Sequence, residues 1–192
     1  LERVFPGEPV YPASTAEWVH ARAWERCADT TIDPILIDVS YWIWAERTDS
    51  MPEGLHAAAQ RDMDQVYAAL ERDLTGRTYL AGDAISIADI ALFPHLTATK
   101  MLGVGYDPAR VPRVHAWLRG LRGLHLFAAD LERVKQFLSA MVGDTQHERR
   151  KLFWRGDRIE WLLAQGQHRW LVREIEEGRV IWPGLGIPAP RR

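Results

Sequence analysis

The chain has 192 residues, 47% hydrophobic and 26% charged, with 24 basic against 26 acidic side chains and a formal net charge of −2. That is enough chain to bury a sizeable core in one domain, or in one domain with an appendage. The charges are interspersed and form no basic patch, and no apolar stretch approaches the roughly 20 residues of a membrane-spanning helix, so neither nucleic acid nor a membrane is expected as a partner. The single cysteine, Cys27, excludes an internal disulfide framework and a thiol-based structural zinc site, and it accords with a reducing, cytoplasmic setting. The opening residues do not have the pattern of a signal peptide, and none is expected. The chain begins Leu1-Glu2-Arg3 without a methionine, as a processed chain or a piece of a longer one would.

Residues 1–13, LERVFPGEPVYPA, hold three prolines and a glycine and read as an extended, linker-like arm. Ser14 or Thr15 then offers an N-cap, with Glu17 in the first turn where the helix dipole favours it. Trp24, Ala28, Thr31/Ile32, Ile35, Val39 and Trp42 follow at the three-four spacing of one helix face. Pro34 lies within that run and is expected to kink the helix, because the apolar face resumes beyond it. Ser50, with Pro52 and Glu53, marks the start of a second helix. Its stripe runs Leu55, Ala59, Met63, Val66, Leu70 and Leu74, and Gly76 stops it.

In GDAISIADI, residues 82–90, Ser86 stands directly before an apolar run and Asp89 three residues later. The pattern is a capping box with aspartate in the usual glutamate position, and Ile85 and Ile90 occupy the places of a hydrophobic staple. Such a cap is worth about 1 kcal/mol, up to about 2. The third helix should run from about 87 to 102. A fourth should follow Asp107-Pro108, with Val111, Val114, Trp117, Leu118 and Leu121 inward. A fifth should bury Leu124, Phe127, Leu131, Val134, Leu138 and Met141. With no period-two run between 14 and 142, the fold class is all-α, a helical bundle.

Four of the nine tryptophans, Trp154, Trp161, Trp170 and Trp182, fall in residues 144–192. That density implies a packed helical extension (143–192), not a disordered tail. Two short helices are expected there, one capped by Asp157 and broken by Gly166, the other running from about 168 to 177 before Gly178. An extended Val180-Ile181-Trp182 follows. The extension either covers apolar bundle surface, closes over a site or adds to a dimer contact. The seven histidines show no paired metal spacing, so no metal site is expected. Gly103-Val104-Gly105 follows no strand and reads as a loop, not a phosphate cradle. His95, inside an apolar run, reads as a satisfied core histidine.

Extended to RTYLAGDAISIADIALFPHL, residues 77–96, the capping-box segment resembles the hallmark of the C-terminal helical domain of glutathione S-transferases. The long helix with W-x-x-x-A-D-T at 24–30 and Pro34, the helix at 52–75 and VPRVHAWLRGLRG at 111–123 are similar to that domain's pieces, in order. The resemblance covers roughly residues 1–140. It implies residues 1–13 as the linker leaving an N-terminal thioredoxin-like domain, and residues 14–142 as the helical domain. In the family the thioredoxin-like domain binds glutathione and supplies the Ser, Tyr or Cys that activates its thiol. Nothing in this chain matches that domain, so no catalytic residue is expected here and the chain alone is not expected to be active.

By the same resemblance the helical domain shapes the pocket for a small electrophilic second substrate and much of a homodimer interface. The pocket lies against the first long helix, away from its apolar stripe. Cys27, Thr30, Thr31 and Asp33 are then the substrate-side candidates, and Arg26 and Asp29 the candidates for contact with glutathione. Polar residues on a helix face are ordinarily just solvated, and a lone cysteine ordinarily packs as a small hydrophobe. The alternative is a non-catalytic interaction module, because domains of this fold also occur fused to translation factors and aminoacyl-tRNA synthetases.

Overall fold

The computed structural model describes residues 7, 9–43, 51–141, 152–153 and 155–182. The helices are α1 (Thr15–Cys27), α2 (Asp33–Ile43), α3 (Leu55–Asp73), α4 (Ile87–Ala98), α5 (Pro112–Arg122), α6 (His125–Met141), α7 (Gly156–Ala164) and α8 (His168–Glu176). Two two-residue strands, β1 (Leu152–Phe153) and β2 (Val180–Ile181), pair in parallel with Leu152 opposite Val180. Between residues 14 and 141 the described chain has no strand, only an isolated bridge from Tyr79 to Gly82. The all-α fold expected from periodicity is therefore the observed one.

The kink expected at Pro34 takes the form of a π-helical turn, Ala28–Ile32, between α1 and α2. The Asp33 N–H donates to the Ala28 carbonyl, five residues back. In an unbroken α-helix the proline ring would press on the carbonyl of Thr30, and one wider turn relieves that clash while the chain stays helical. The apolar stripe survives: Trp24, Ala28, Ile32, Ile35, Val39 and Trp42 are all buried. So is every member of the α3 stripe from Leu55 to Leu74.

Several boundaries differ from expectation. Gly54, at φ 76°, resets the chain immediately before α3, so Pro52 and Glu53 precede the helix and do not form its first turn. Ser50 lies outside the described residues. α4 ends at Ala98 and the chain turns back at Gly103 (φ 73°), where an added Cβ would lie 2.8 Å from His56 Nε2. Val104 is fixed there by the Tyr67 hydroxyl, which donates to its carbonyl at 2.7 Å. Residues 107–110 form a turn, and α5 opens on Pro112. Its start is capped from α3, where Glu71 accepts the N–H groups of Arg113 (2.9 Å) and Val114 (3.0 Å).

The inward stripe assigned to the fifth helix is observed in its first half only. Phe127 of α6 is buried, meeting Phe93 of α4 edge-on at 4.6 Å, and Leu124 and Leu131 pack partly against the core, while Val134 is 45% exposed; the side chain of Met141 lies outside the described residues. The helix packs mainly on α5 through its first turns and then runs beyond the bundle. Periodicity marks a face; it does not say that anything covers it.

The C-terminal helices dock on the far end of α2 and α3. Tyr41, Trp42, Leu55, Leu152, Ile159, Leu162, Trp170, Leu171 and Val180 form a second apolar cluster, with the Trp42 and Trp170 rings 5.1 Å apart. Polar ties surround it. Trp161 Nε1 donates to Asp62 at 3.0 Å, and the Arg158 guanidinium contacts Asp38 Oδ1 at 2.7 Å with both side chains buried. Burial pushes the Asp38 carboxyl up to about 7, against the pull of Arg158. Asp157, expected as the cap of α7, lies inside its first turn, and Arg155 holds the cap position. Gly166 (φ 78°) and Gly178 (φ 68°) end α7 and α8, as their sequence positions suggest.

The capping box is present, but Asp89 does more than cap. Its Oδ2 accepts the Ser86 N–H at 2.9 Å and the Ser86 hydroxyl at 2.8 Å. Its Oδ1 accepts the Leu80 N–H at 3.1 Å and Trp117 Nε1 of α5 at 2.9 Å. The residue is fully buried, so deleting the carboxylate would orphan donors that water cannot reach. Asp89→Ala should therefore cost about 3–5 kcal/mol, against about 1–2 for Ser86→Ala. Chemical denaturation of both variants checks this; equal losses would reduce Asp89 to an ordinary cap.

Candidate functional site

The candidate residues lie along the end of α1, the π turn and the first residue of α2. Arg26, Asp29, Thr30 and Thr31 are exposed, and Cys27 and Asp33 are half-buried. Their apolar neighbours Trp24, Ala28 and Ile32 turn into the core. The wider turn thus presents a continuous polar strip on the outside of a helix whose inside is fully packed.

Within the strip the residues differ. The Thr30 hydroxyl donates to the Arg26 carbonyl at 2.9 Å, a bond internal to the helix. Cys27 packs partly against the core. Burial pushes its thiol up, and a hydrogen bond with Thr31 offsets this only in part, so it remains a thiol and not a thiolate nucleophile. Arg26 and Asp29 make no ion pair among the described residues and keep their charges open to solvent.

Asp33 is committed to a network. Its Oδ1 lies 3.5 Å from His95 Nε2 of α4 and its Oδ2 2.7 Å from Arg155 Nη1, which precedes α7. The same guanidinium reaches Asp157 at 2.5 Å. The His95 hydrogen bond holds the Asp33 carboxyl below its ordinary range; burial opposes this and Arg155 reinforces it. On His95, burial alone would favour the neutral ring, but the Asp33 carboxylate and the Ala91 carbonyl outweigh it and raise the pKa. The ring explains why. Nδ1 sits 2.9 Å from the Ala91 carbonyl and Nε2 faces a carboxylate, so both nitrogens face acceptors and both are best served by a proton.

His95 is thus satisfied, as expected, but half-buried and charge-paired. Its place in an apolar run gave no hint of Asp33. Arg155, which stands 122 residues from its partner, carried no local signal at all. Among the described residues no group of three or more His, Cys, Asp or Glu side chains could hold a metal ion. No helix there is long and apolar enough to cross a membrane.

Residues 13–120 match the family model described as "Glutathione S-transferase, C-terminal domain". The chain belongs to the glutathione S-transferase family. The glutathione S-transferase-like protein OpS6 of Beauveria bassiana (strain ARSEF 2860) is 30% identical over 107 residues, covering 53% of this chain and 48% of that protein. The aligned stretches span less than half the length of the curated relatives matched. Among solved structures, glutathione transferase URE2P5 of Phanerochaete chrysosporium superimposes with a TM-score of 0.63 at 20% identity, over 73% of this chain and 64% of that one. A sphingomonad glutathione S-transferase complexed with glutathione does so with a TM-score of 0.52 at 22% identity, over 65% of this chain and 58% of that one. At these identities the structural likeness establishes the fold of the C-terminal domain, which agrees with the family match.

The Asp33–His95 contact makes stability pH-dependent with opposite signs at its two ends. His95 has a raised folded pKa, so its contribution is fully present below about 6.5 and is lost as the pH rises through the folded value. Asp33 has a lowered one, so its contribution is present above about 3.8 and is lost as the pH falls through the folded value. NMR titration of the His95 ring should give a midpoint above 6.5, moving down in Asp33→Asn. A midpoint at or below 6.5 in the parent protein would contradict the pairing.

Proposed function

We propose that this chain forms the second-substrate side and part of the dimer surface of a glutathione S-transferase, with the thiol-activating Ser, Tyr or Cys on a thioredoxin-like domain outside it. Family membership across residues 13–120 supports the reading. The observation that carries it is the polar strip held open along the π turn while Trp24, Ala28 and Ile32 beside it are buried. π turns inside long helices are frequently found at functional sites.

The residues fit the tripeptide glutathione. Arg26, which makes no ion pair among the described residues, offers its guanidinium to a carboxylate, and Asp29 a carboxylate to an ammonium group. Thr30, Thr31 and the neutral Cys27 form the adjoining wall, less polar and suited to a small electrophile. Asp33 anchors that wall through His95 and Arg155. In the reaction the thiol proton passes to solvent, the thiolate sulfur forms a bond to the electrophilic carbon, and the leaving group departs with its bonding pair. This chain contributes position and the exclusion of water, not the activating group. The exposed Trp18 and Val19 on α1 support a homodimer contact, and the single free thiol supports a reducing, cytoplasmic setting.

The test is glutathione-agarose retention and chlorodinitrobenzene turnover by the complete protein. Retention with turnover is expected, and Arg26→Ala should raise the KM for glutathione about tenfold, the loss of one charge-assisted hydrogen bond. Neither retention nor turnover would overturn the reading in favour of a non-catalytic interaction module.

A further inference from the structure

The side of α6 turned away from the bundle carries a regular seam. Leu126, Asp130, Arg133 and Phe137 follow at spacings of four, three and four, which lines them up along one side of the helix. All four are exposed, Leu126 by 71% and Phe137 by 64%, and the exposed Val134 borders them. Phe127, which holds α6 to α4, points about a quarter-turn away, so the seam is not the face that packs on the bundle. Apolar side chains scattered singly on a surface are ordinary. Two large ones at the ends of one helical seam, with charges between them, form a face suited to another helix.

The charges select that helix. Asp130 and Arg133 make no ion pair among the described residues, whereas Glu132 and Lys135 on the opposite side pair with each other at 3.5 Å. Reversed in direction, the seam keeps the same spacing. A second α6 laid antiparallel therefore brings the partner's Phe137 to Leu126 and the partner's Arg133 to Asp130, and the two-fold axis repeats both contacts. A parallel copy would set like charge against like. The antiparallel arrangement also keeps the two bundles apart. Each α6 packs on its own α5 through its first turns and then runs beyond, so the bundles lie at opposite ends of the helix pair.

We propose that α6 pairs antiparallel with α6 of a second copy of this chain, Leu126 against the partner's Phe137 and Asp130 against the partner's Arg133. This contact is separate from Trp18 and Val19 on α1 and does not rest on the proposed activity. A single helix pair buries less than a standard interface, so the association is expected to be weak.

Sedimentation equilibrium of the complete protein beside its Phe137→Asp variant isolates the contact, because a dimer through α1 would be present in both. The parent should gain mass with concentration, half-associated below about 1 mM, and Phe137→Asp should not, at an unchanged melting temperature. Asp130→Arg alone should weaken the association at least about tenfold, and Asp130→Arg combined with Arg133→Asp should restore it. Introduced cysteines read the register. A mixture of Leu126→Cys and Phe137→Cys proteins should join through the two new thiols, identified by peptide mass spectrometry. Neither variant should link to itself through its new thiol, since like positions lie about 16 Å apart along the pair. Equal mass of parent and Phe137→Asp at every concentration, no rescue by the double reversal, or self-linked Leu126→Cys would overturn the pairing.

Discussion

A buried carboxylate with no ion pair among the described residues must be satisfied by hydrogen-bond donors, and at Asp89 those donors come from three places. The amide and hydroxyl of Ser86 start α4, the amide of Leu80 fixes the preceding turn, and the indole of Trp117 belongs to α5. The charge sets the register of α4, closes the turn that enters it and ties α5 alongside. None of these could slip by one residue without orphaning a donor in a dry interior.

The outer features depend on that register. Six residues beyond Asp89, His95 is carried by α4 to the start of α2, where it meets Asp33 immediately after the π turn. Asp33 in turn receives Arg155 from the C-terminal helices. A continuous line of interactions therefore runs from the buried anchor through α4 to the strip bearing Arg26 and Asp29, and on to the extension packed on Trp42. Pro34 contributes from the other side, since it forces the wider turn that presents the strip.

What the sequence revealed and what it concealed divide along physical lines. The stripes of α1–α2 and α3 were legible because a face buried along its whole length leaves a clean three-four period. The capping box was legible because it is local, its two members only three positions apart. The partners Leu80 and Trp117 were not, since nothing in a local pattern reports a donor 28 residues away. The face of α6 was read as buried along its whole length because amphipathicity looks the same whether or not a neighbour covers it; Phe127 is covered and Val134 is not. At the strip, the polar side of a helix was visible in sequence. That Asp33 is engaged while Arg26 and Asp29 are open depends on α4 and Arg155, which only the tertiary structure brings there.

If Asp89 is the shared anchor, the groups that donate to it open only together. Native-state hydrogen exchange should show the amides of Leu80 and Ser86 and the indole N–H of Trp117 exchanging at one common free energy, equal to that of global unfolding. All three should lose protection together in Asp89→Asn. Separate opening free energies, with Trp117 exchanging locally while Ser86 stays protected, would contradict a single anchor and leave Asp89 as the cap of one helix.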